Sequence, residues 1–232
     1  MKQRISYFAF FLFLFCWTTS HAQQLNLKIG YSAGVINPEN INRLMQAYDE
    51  ENPWFEEKPR DLNVINGVTI GFRSRWEYVS LEFSWVSKFA SRDMSGIRPI
   101  DEAGFEREII YRIGSFSFGP EFFIGNIGFG GTIDASDFQI RTNYSGQPTE
   151  LVLVDEFSLS SHFFVSYHLV TSDFLSLTLR PYVQLPYERF NVYGLEQDLF
   201  PMNTTDPETV NDNLLNFGLQ ILFFNGPQTR LR

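Results

Sequence analysis

The stretch LSLTLRPYVQLP, residues Leu175–Pro186, places an apolar side chain at nearly every second position. The positions between them carry polar side chains, at Ser176, Thr178, Arg180 and Gln184. Side chains of a β-strand point alternately to its two faces, so this stretch is predicted to form a strand with one apolar and one polar face.

The same alternation recurs along the chain and predicts an all-β protein. Five further segments show it clearly, at residues 25–35, 64–76, 79–89, 157–169 and 215–223. Residues 105–123 and 127–142 are less regular, and the shifts of their apolar phase near Gly114 and Ser136 are interpreted as β-bulges. Counted together, these segments predict about eight strands.

The connections between the predicted strands alternate between long and short. The long ones are residues 36–63, 91–104, 143–151 and 191–212, and the short ones lie near residues 77, 125–126 and 171–173. Long loops at one end, tight turns at the other and an even strand count are typical of a transmembrane β-barrel. We therefore predict a single antiparallel up-and-down barrel. A lipocalin-like barrel and a β-sandwich are the alternatives, and the charged inner face counts against a lipid pocket.

The N-terminus predicts export. Residues Met1–Arg4 are basic, residues 7–17 are apolar, and Ser20, His21 and Ala22 supply a cleavage site before Gln23. We predict a signal peptide at residues 1–22 and an outer-membrane barrel domain at residues 23–232. A buried N-terminal helix, or a lipoprotein acylated at Cys16, are the alternatives.

The composition narrows the class of partner. The net charge is −9, and aromatic residues make up 17% of the chain against 19% charged residues. An acidic chain without a basic patch repels phosphates, so nucleic acid is not expected as a partner. No apolar run after the first 22 residues is long enough for a membrane helix, whereas a barrel wall facing lipid accommodates many aromatic side chains.

These features resemble the small outer-membrane β-barrel proteins of Gram-negative bacteria. The resemblance rests on the residues before Gln23, the alternation, and the segments LRPYVQLP at residues 179–186 and NFGLQILFFNG at residues 216–226. It implies a porin-like, non-enzymatic barrel with a structural or surface-binding role through its long loops. It also implies outer-membrane lipid and the barrel-assembly machinery as partners.

The polar face of the predicted strands is strongly charged. The narrow lumen of an eight-stranded barrel is filled by its own side chains, and charges of both signs should pair there. We predict a lumen network closed to ions, formed by Arg73, Arg75, Glu82, Arg180 and Glu188. Lys28, Lys88 and Arg112 are also expected to face inward, as are Glu121 and Asp134.

Two Ser–His pairs allow an alternative, an outer-membrane lipid-modifying hydrolase. Ser160 and His162, like Ser166 and His168, are two residues apart and share a strand face. Lipid A deacylases resemble this spacing, but the sequence assigns no acidic partner to either histidine. We therefore expect no catalytic site, and predict neither a metal site nor a cofactor.

The first long connection contains a helix signal. Asn37 is a favourable N-cap and Pro38 a favourable first residue, and an apolar stripe follows at positions 41, 44, 45 and 48. Tyr48 and the pair Trp54 and Phe55, expected to be exposed among acidic residues, are the candidates for recognising a surface ligand. A packed cap over the barrel mouth is the alternative.

Overall fold

A computed structural model describes residues 24–145, 149–202 and 210–226. The predicted signal peptide at residues 1–22 lies outside these ranges. The described elements, in chain order, are β1 (Gln24–Ile36), α1 (Glu39–Glu51), β2 (Phe55–Glu57), β3 (Val64–Arg75), β4 (Val79–Ile97), β5 (Gly104–Ile124), β6 (Ile127–Tyr144), β7 (Leu151–Ser172), β8 (Leu175–Pro186), β9 (Phe190–Asn191), α2 (Tyr193–Leu199), β10 (Asn211–Asp212) and β11 (Asn216–Asn225).

Eight strands close into a ring in which each pairs antiparallel with both neighbours. Around the ring they follow the order β1, β3, β4, β5, β6, β7, β8 and β11, and β11 pairs with β1 again. This confirms the prediction of a single up-and-down barrel of eight strands. Tight turns at residues 76–78, 125–126 and 173–174 define the turn end of the barrel, and the longer connections define its loop end.

The two faces of the wall differ in polarity. Large apolar side chains face outward and are exposed on every barrel strand, for example Ile29, Phe72, Trp85 and Phe163. We call this surface the apolar band. Polar and charged side chains of the same strands face inward and are buried, as the alternation predicts.

The polarity of the two faces inverts in the upper part of the longer strands, β4 to β7. In β5 every second residue from Arg107 to Phe123 is buried. Toward the turn end, Ser117 faces inward and Phe118 outward, whereas toward the loop end Ile109 faces inward and Arg112 outward. The upper strands therefore have the pattern of a soluble sheet, with an apolar inner face.

The bulges predicted near Gly114 and Ser136 are wrong. The pairing of β5 with β6 keeps one register throughout, and the irregularity of β6 lies instead between Ile140 and Arg141, opposite β7. The apolar phase of the sequence shifts because the outer face of the strand is apolar below this level and the inner face is apolar above it. The connection predicted at residues 91–104 is also shorter than expected, because β4 continues to Ile97 and β5 begins at Gly104.

Residues 37–63, 187–202 and 210–214 fold over the mouth of the barrel and form what we call the cap. Their apolar side chains pack against the inner face of the upper strands. The shared core includes Ile41, Leu44, Met45, Leu62, Ile109, Tyr111, Phe138, Ile140, Phe190, Val192, Leu195, Leu199 and Val210. Neither helix of the described chain is long and apolar enough to cross a membrane.

Helix α1 begins one residue later than the sequence predicts, and Asn37 does not cap it. The N-cap position is Pro38, which makes no side-chain hydrogen bond. Instead, the Asp212 carboxylate accepts a hydrogen bond of 2.9 Å from the Ile41 backbone N–H. The free N–H groups at the start of a helix need such an acceptor, and here a distant connection supplies it.

Candidate functional site

The half of the lumen near the turn end contains a compact ion-pair network, which we call the lower cluster (Lys28, Arg73, Glu82, Glu121, His168 and Arg180). Glu82 accepts two hydrogen bonds from Arg180, of 2.7 and 2.8 Å, and one of 2.8 Å from Lys28. Glu121 lies 3.1 Å from Arg180 and accepts a 3.0 Å hydrogen bond from His168 Nε2. Buried charges of both signs therefore pair within this cluster.

The predicted Arg73 and Arg75 are both buried, and each guanidinium lies over an aromatic ring. Arg73 lies 3.6 Å from the ring centre of Phe224 and donates to Asn26 Oδ1. Arg75 lies 3.9 Å from the ring centre of Phe123. Stacking on an aromatic face suits a planar cation.

Two predicted inward positions are wrong. Glu188 is exposed because β8 ends at Pro186 and the chain leaves the barrel before that residue. Arg112 is exposed on the outer face because it lies above the level where the polarity of β5 inverts. In the network, Glu121 is an ionic partner of Arg180, and Lys28 is an ionic partner of Glu82. Extending the alternation of β5 without a bulge places the side chain of Glu121 inside the lumen.

A second group of polar side chains, the upper cluster (Lys88, Asp134, Ser160, His162, Tyr182, Gln184 and Asn216), occupies the lumen toward the loop end. Asp134 Oδ2 lies 3.4 Å from His162 Nδ1. Lys88 Nζ donates to Tyr182 Oη at 3.1 Å and contacts the side-chain oxygens of Gln184 and Asn216 at 3.4 Å. The buried ammonium is thus satisfied by neutral acceptors.

The geometry does not favour the hydrolase alternative, although each histidine has a carboxylate partner. Ser160 Oγ accepts a hydrogen bond from Gln184, and Ser166 Oγ accepts one from Arg180. His168 Nδ1 accepts instead from Thr178 Oγ1, at 2.8 Å. A nucleophile must be hydrogen-bonded to its base and reachable by substrate, whereas all these groups are buried inside the wall.

Within the cap, Tyr48, Trp54 and Phe55 form one aromatic cluster with Phe105 and Tyr144. The ring centres of Trp54 and Phe55 are 4.6 Å apart, and those of Trp54 and Phe105 are 5.4 Å apart. The expected exposure of Phe55 is wrong, since it is 4% exposed, while Tyr48 and Trp54 are half-buried. Periodicity in one connection could not reveal Phe105 and Tyr144, which belong to other strands.

An ion pair fastens helix α2 to the barrel beside this cluster. Arg107 of β5 is buried, donates to Asp198 of α2 and to Thr142 Oγ1, and lies over the rings of Tyr48 and Tyr144. The contact joins both cap connections to the upper strands.

Asp212 is the titratable group that links the two connections of the cap. Burial raises the pKa of its carboxyl above the ordinary value, and the backbone hydrogen bonds from Ile41 and Asn213 oppose that shift. The described residues contain no group of three or more potential metal ligands.

No protein-family model and no curated protein sequence matches this chain. Among solved structures it is similar to Ail, the attachment invasion locus protein of Yersinia pestis. A structure of Ail in complex with the heparin analogue sucrose octasulfate is 10% identical, covers 88% of this chain and 97% of its own, and has a TM-score of 0.41. Another Ail structure is 12% identical with the same coverage and a TM-score of 0.40.

Proposed function

We propose that this chain is an exported outer-membrane protein that spans the membrane with its barrel and presents the cap at the cell surface. The observation that carries the proposal is the apolar band. From Leu25 to Val35, residue steps of about 3.3 Å at a strand tilt of about 40° span roughly 25 Å, the height of the lipid-facing band of outer-membrane barrels. Water is a poor solvent for such a surface.

The inversion of polarity between the two faces supports the proposed membrane placement of the barrel. It also supports an upper membrane boundary at the level where the inversion occurs. Below it, Phe116 faces outward from β5, while above it Arg112 does so. A strand that leaves lipid for water exchanges apolar for polar side chains on its outer face at the boundary. The cap then stands outside the membrane, and the tight turns lie on the periplasmic side.

The proposed role is non-enzymatic binding through the exposed surface of the cap. The wall is committed to lipid and the lumen to its own ion pairs, so the cap is the part free to recognise a partner. Apart from Glu77, Glu82, Glu121, Asp134 and Asp173, every acidic residue in the part of the chain that the structure describes lies in the connections or upper strand parts of the loop end. Such a surface favours a cationic partner.

Cysteine labelling tests the proposed orientation, since the only cysteine of the chain, Cys16, belongs to the predicted signal peptide. Glu50→Cys lies on the exposed side of α1, and Glu77→Cys lies in a tight turn. A membrane-impermeant maleimide should label Glu50→Cys on intact cells and Glu77→Cys only after the envelope is disrupted. Labelling of Glu77→Cys alone would reverse the orientation, and recovery of unlabelled protein in the cytosol would refute the membrane placement.

Binding by the cap can be probed with a fluorescent lysine-rich peptide on cells that display the protein. Glu50→Lys with Glu51→Lys should weaken binding, because both acidic side chains are exposed on α1. Glu77→Lys, at the opposite end of the barrel, is the control. Binding that is unaffected by salt and by the α1 substitutions would contradict a cationic partner.

A further inference from the structure

A small cavity in the lumen is lined by residues of both clusters. Lys28 and Arg180 belong to the lower cluster, and His162 belongs to the upper cluster. Gln220, from β11, also lines the cavity. The cavity has room for about one water molecule.

Three residues that line this cavity each have a buried polar atom without a hydrogen-bond partner among the described residues. These atoms are Oγ of Ser117, Nε2 of His162 and Oε1 of Gln220, whose residues are 5%, 6% and 3% exposed. An unsatisfied buried polar atom typically costs about 1–3 kcal/mol, so three around one cavity call for an occupant.

Nε2 of His162 and Oε1 of Gln220 are acceptors, whereas the Ser117 hydroxyl can either donate or accept. His162 Nδ1 faces the Asp134 carboxylate at 3.4 Å, so the proton of the neutral ring belongs on Nδ1 and Nε2 carries a lone pair. The amide oxygen of Gln220 accepts as well. The occupant must therefore donate two hydrogen bonds, which excludes an anion such as chloride.

We propose that one structural water molecule occupies the cavity and donates to both His162 Nε2 and Gln220 Oε1. Its own lone pairs face the side of the cavity lined by Lys28 and Arg180. A buried water with two to four polar partners of this kind is part of the fold. It joins the two lumen clusters into one hydrogen-bonded column and fixes the tautomer of His162.

A crystal structure of the barrel at high resolution tests the site directly. The expected result is a solvent peak within hydrogen-bond distance of both acceptor atoms. An empty cavity in a map that shows other buried waters would overturn the proposal. So would an anomalous peak in the cavity after chloride is exchanged for bromide.

Nitrogen NMR of histidine-labelled protein supplies a second readout. The proposal requires a proton on Nδ1 of His162 and a hydrogen-bonded, unprotonated Nε2, so an Nε2-protonated ring would refute it. Gln220→Met keeps a similar volume but removes one acceptor, and should shift the Nε2 resonance and abolish the solvent peak. Ser176→Ala removes a buried hydroxyl elsewhere in the barrel and should leave both unchanged. If Gln220→Met does not fold, the electron-density map and the His162 tautomer of the wild-type protein still test the proposal.

Discussion

Replacing Glu82 with glutamine tests how strongly the lower cluster stabilises the barrel. Glutamine keeps the size of the side chain but removes the charge that Lys28 and Arg180 contact. Arg180 retains Glu121 at 3.1 Å, whereas Lys28 has no second carboxylate within 4.0 Å among the described residues. Breaking a buried pair typically costs about 3–5 kcal/mol because the remaining charge is left uncompensated. We expect a loss in this range, due mainly to Lys28.

The free energy of unfolding can be measured by urea titration in lipid vesicles, followed by tryptophan fluorescence and by the heat-dependent gel shift. Combining Glu82→Gln with Lys28→Met removes the uncompensated ammonium and should restore more than half of the loss. Asp49→Asn breaks the exposed pair with Lys58 and should cost no more than about 1 kcal/mol. The reasoning is refuted if Glu82→Gln costs no more than this control, or if the double variant is as unstable as the single one.

Three further predictions concern the wall, the lumen and the cap. Leu177→Arg should cost about 2–4 kcal/mol and more in thicker vesicles, because Leu177 faces outward within the apolar band. Thr178→Arg should act by crowding the lumen, and a vesicle-thickness dependence for it instead would show that the faces are reversed. The purified barrel should give no stable single-channel steps in planar bilayers, since ion pairs fill the lumen, and reproducible steps would disprove closure. Because burial raises the pKa of Asp212, its contribution to stability is greatest below the unfolded value of 3.8 and falls as the pH rises toward the folded pKa. Protease cleavage of the cap should therefore depend more steeply on pH in wild type than in Asp212→Asn over that acidic window, and equal dependence would contradict the shift.

The alternation of side chains was sufficient to predict the barrel, because a period of two fixes which residues share a face. It was not sufficient to predict what each face contacts along a whole strand. In β5 the alternation continues through Gly114 without a bulge. What changes is the contact of its inner face, which is the polar lumen toward the turn end and the apolar core shared with the cap toward the loop end. A sequence pattern that counts apolar residues interprets that change as a shift of the chain.

The lumen network was predicted where its residues lie within strands, as for Arg73, Glu82 and Arg180. It failed at Glu188, where the strand ends before the residue. The cap was less accessible still, since its helix is capped by Asp212, which is 171 residues away from Ile41. Contacts between distant connections leave no local pattern, so the sequence could predict an apolar stripe on α1 but not the surface that it packs against.

The cap spans the seam where the barrel closes. The first and last strands of the ring, β1 and β11, pair with each other, and the two cap connections follow β1 and precede β11. The hydrogen bond from Ile41 to Asp212 crosses that seam from one connection to the other. Bringing together residues that are 171 positions apart in the chain carries an entropic cost before any contact is gained. Such long-range closure is a slow event in folding. The ring cannot be completed until the last strand is present, and once it is, the same event brings both halves of the cap core together. Contacts between the two halves of the cap therefore make the final strand pairing, between β1 and β11, harder to reverse.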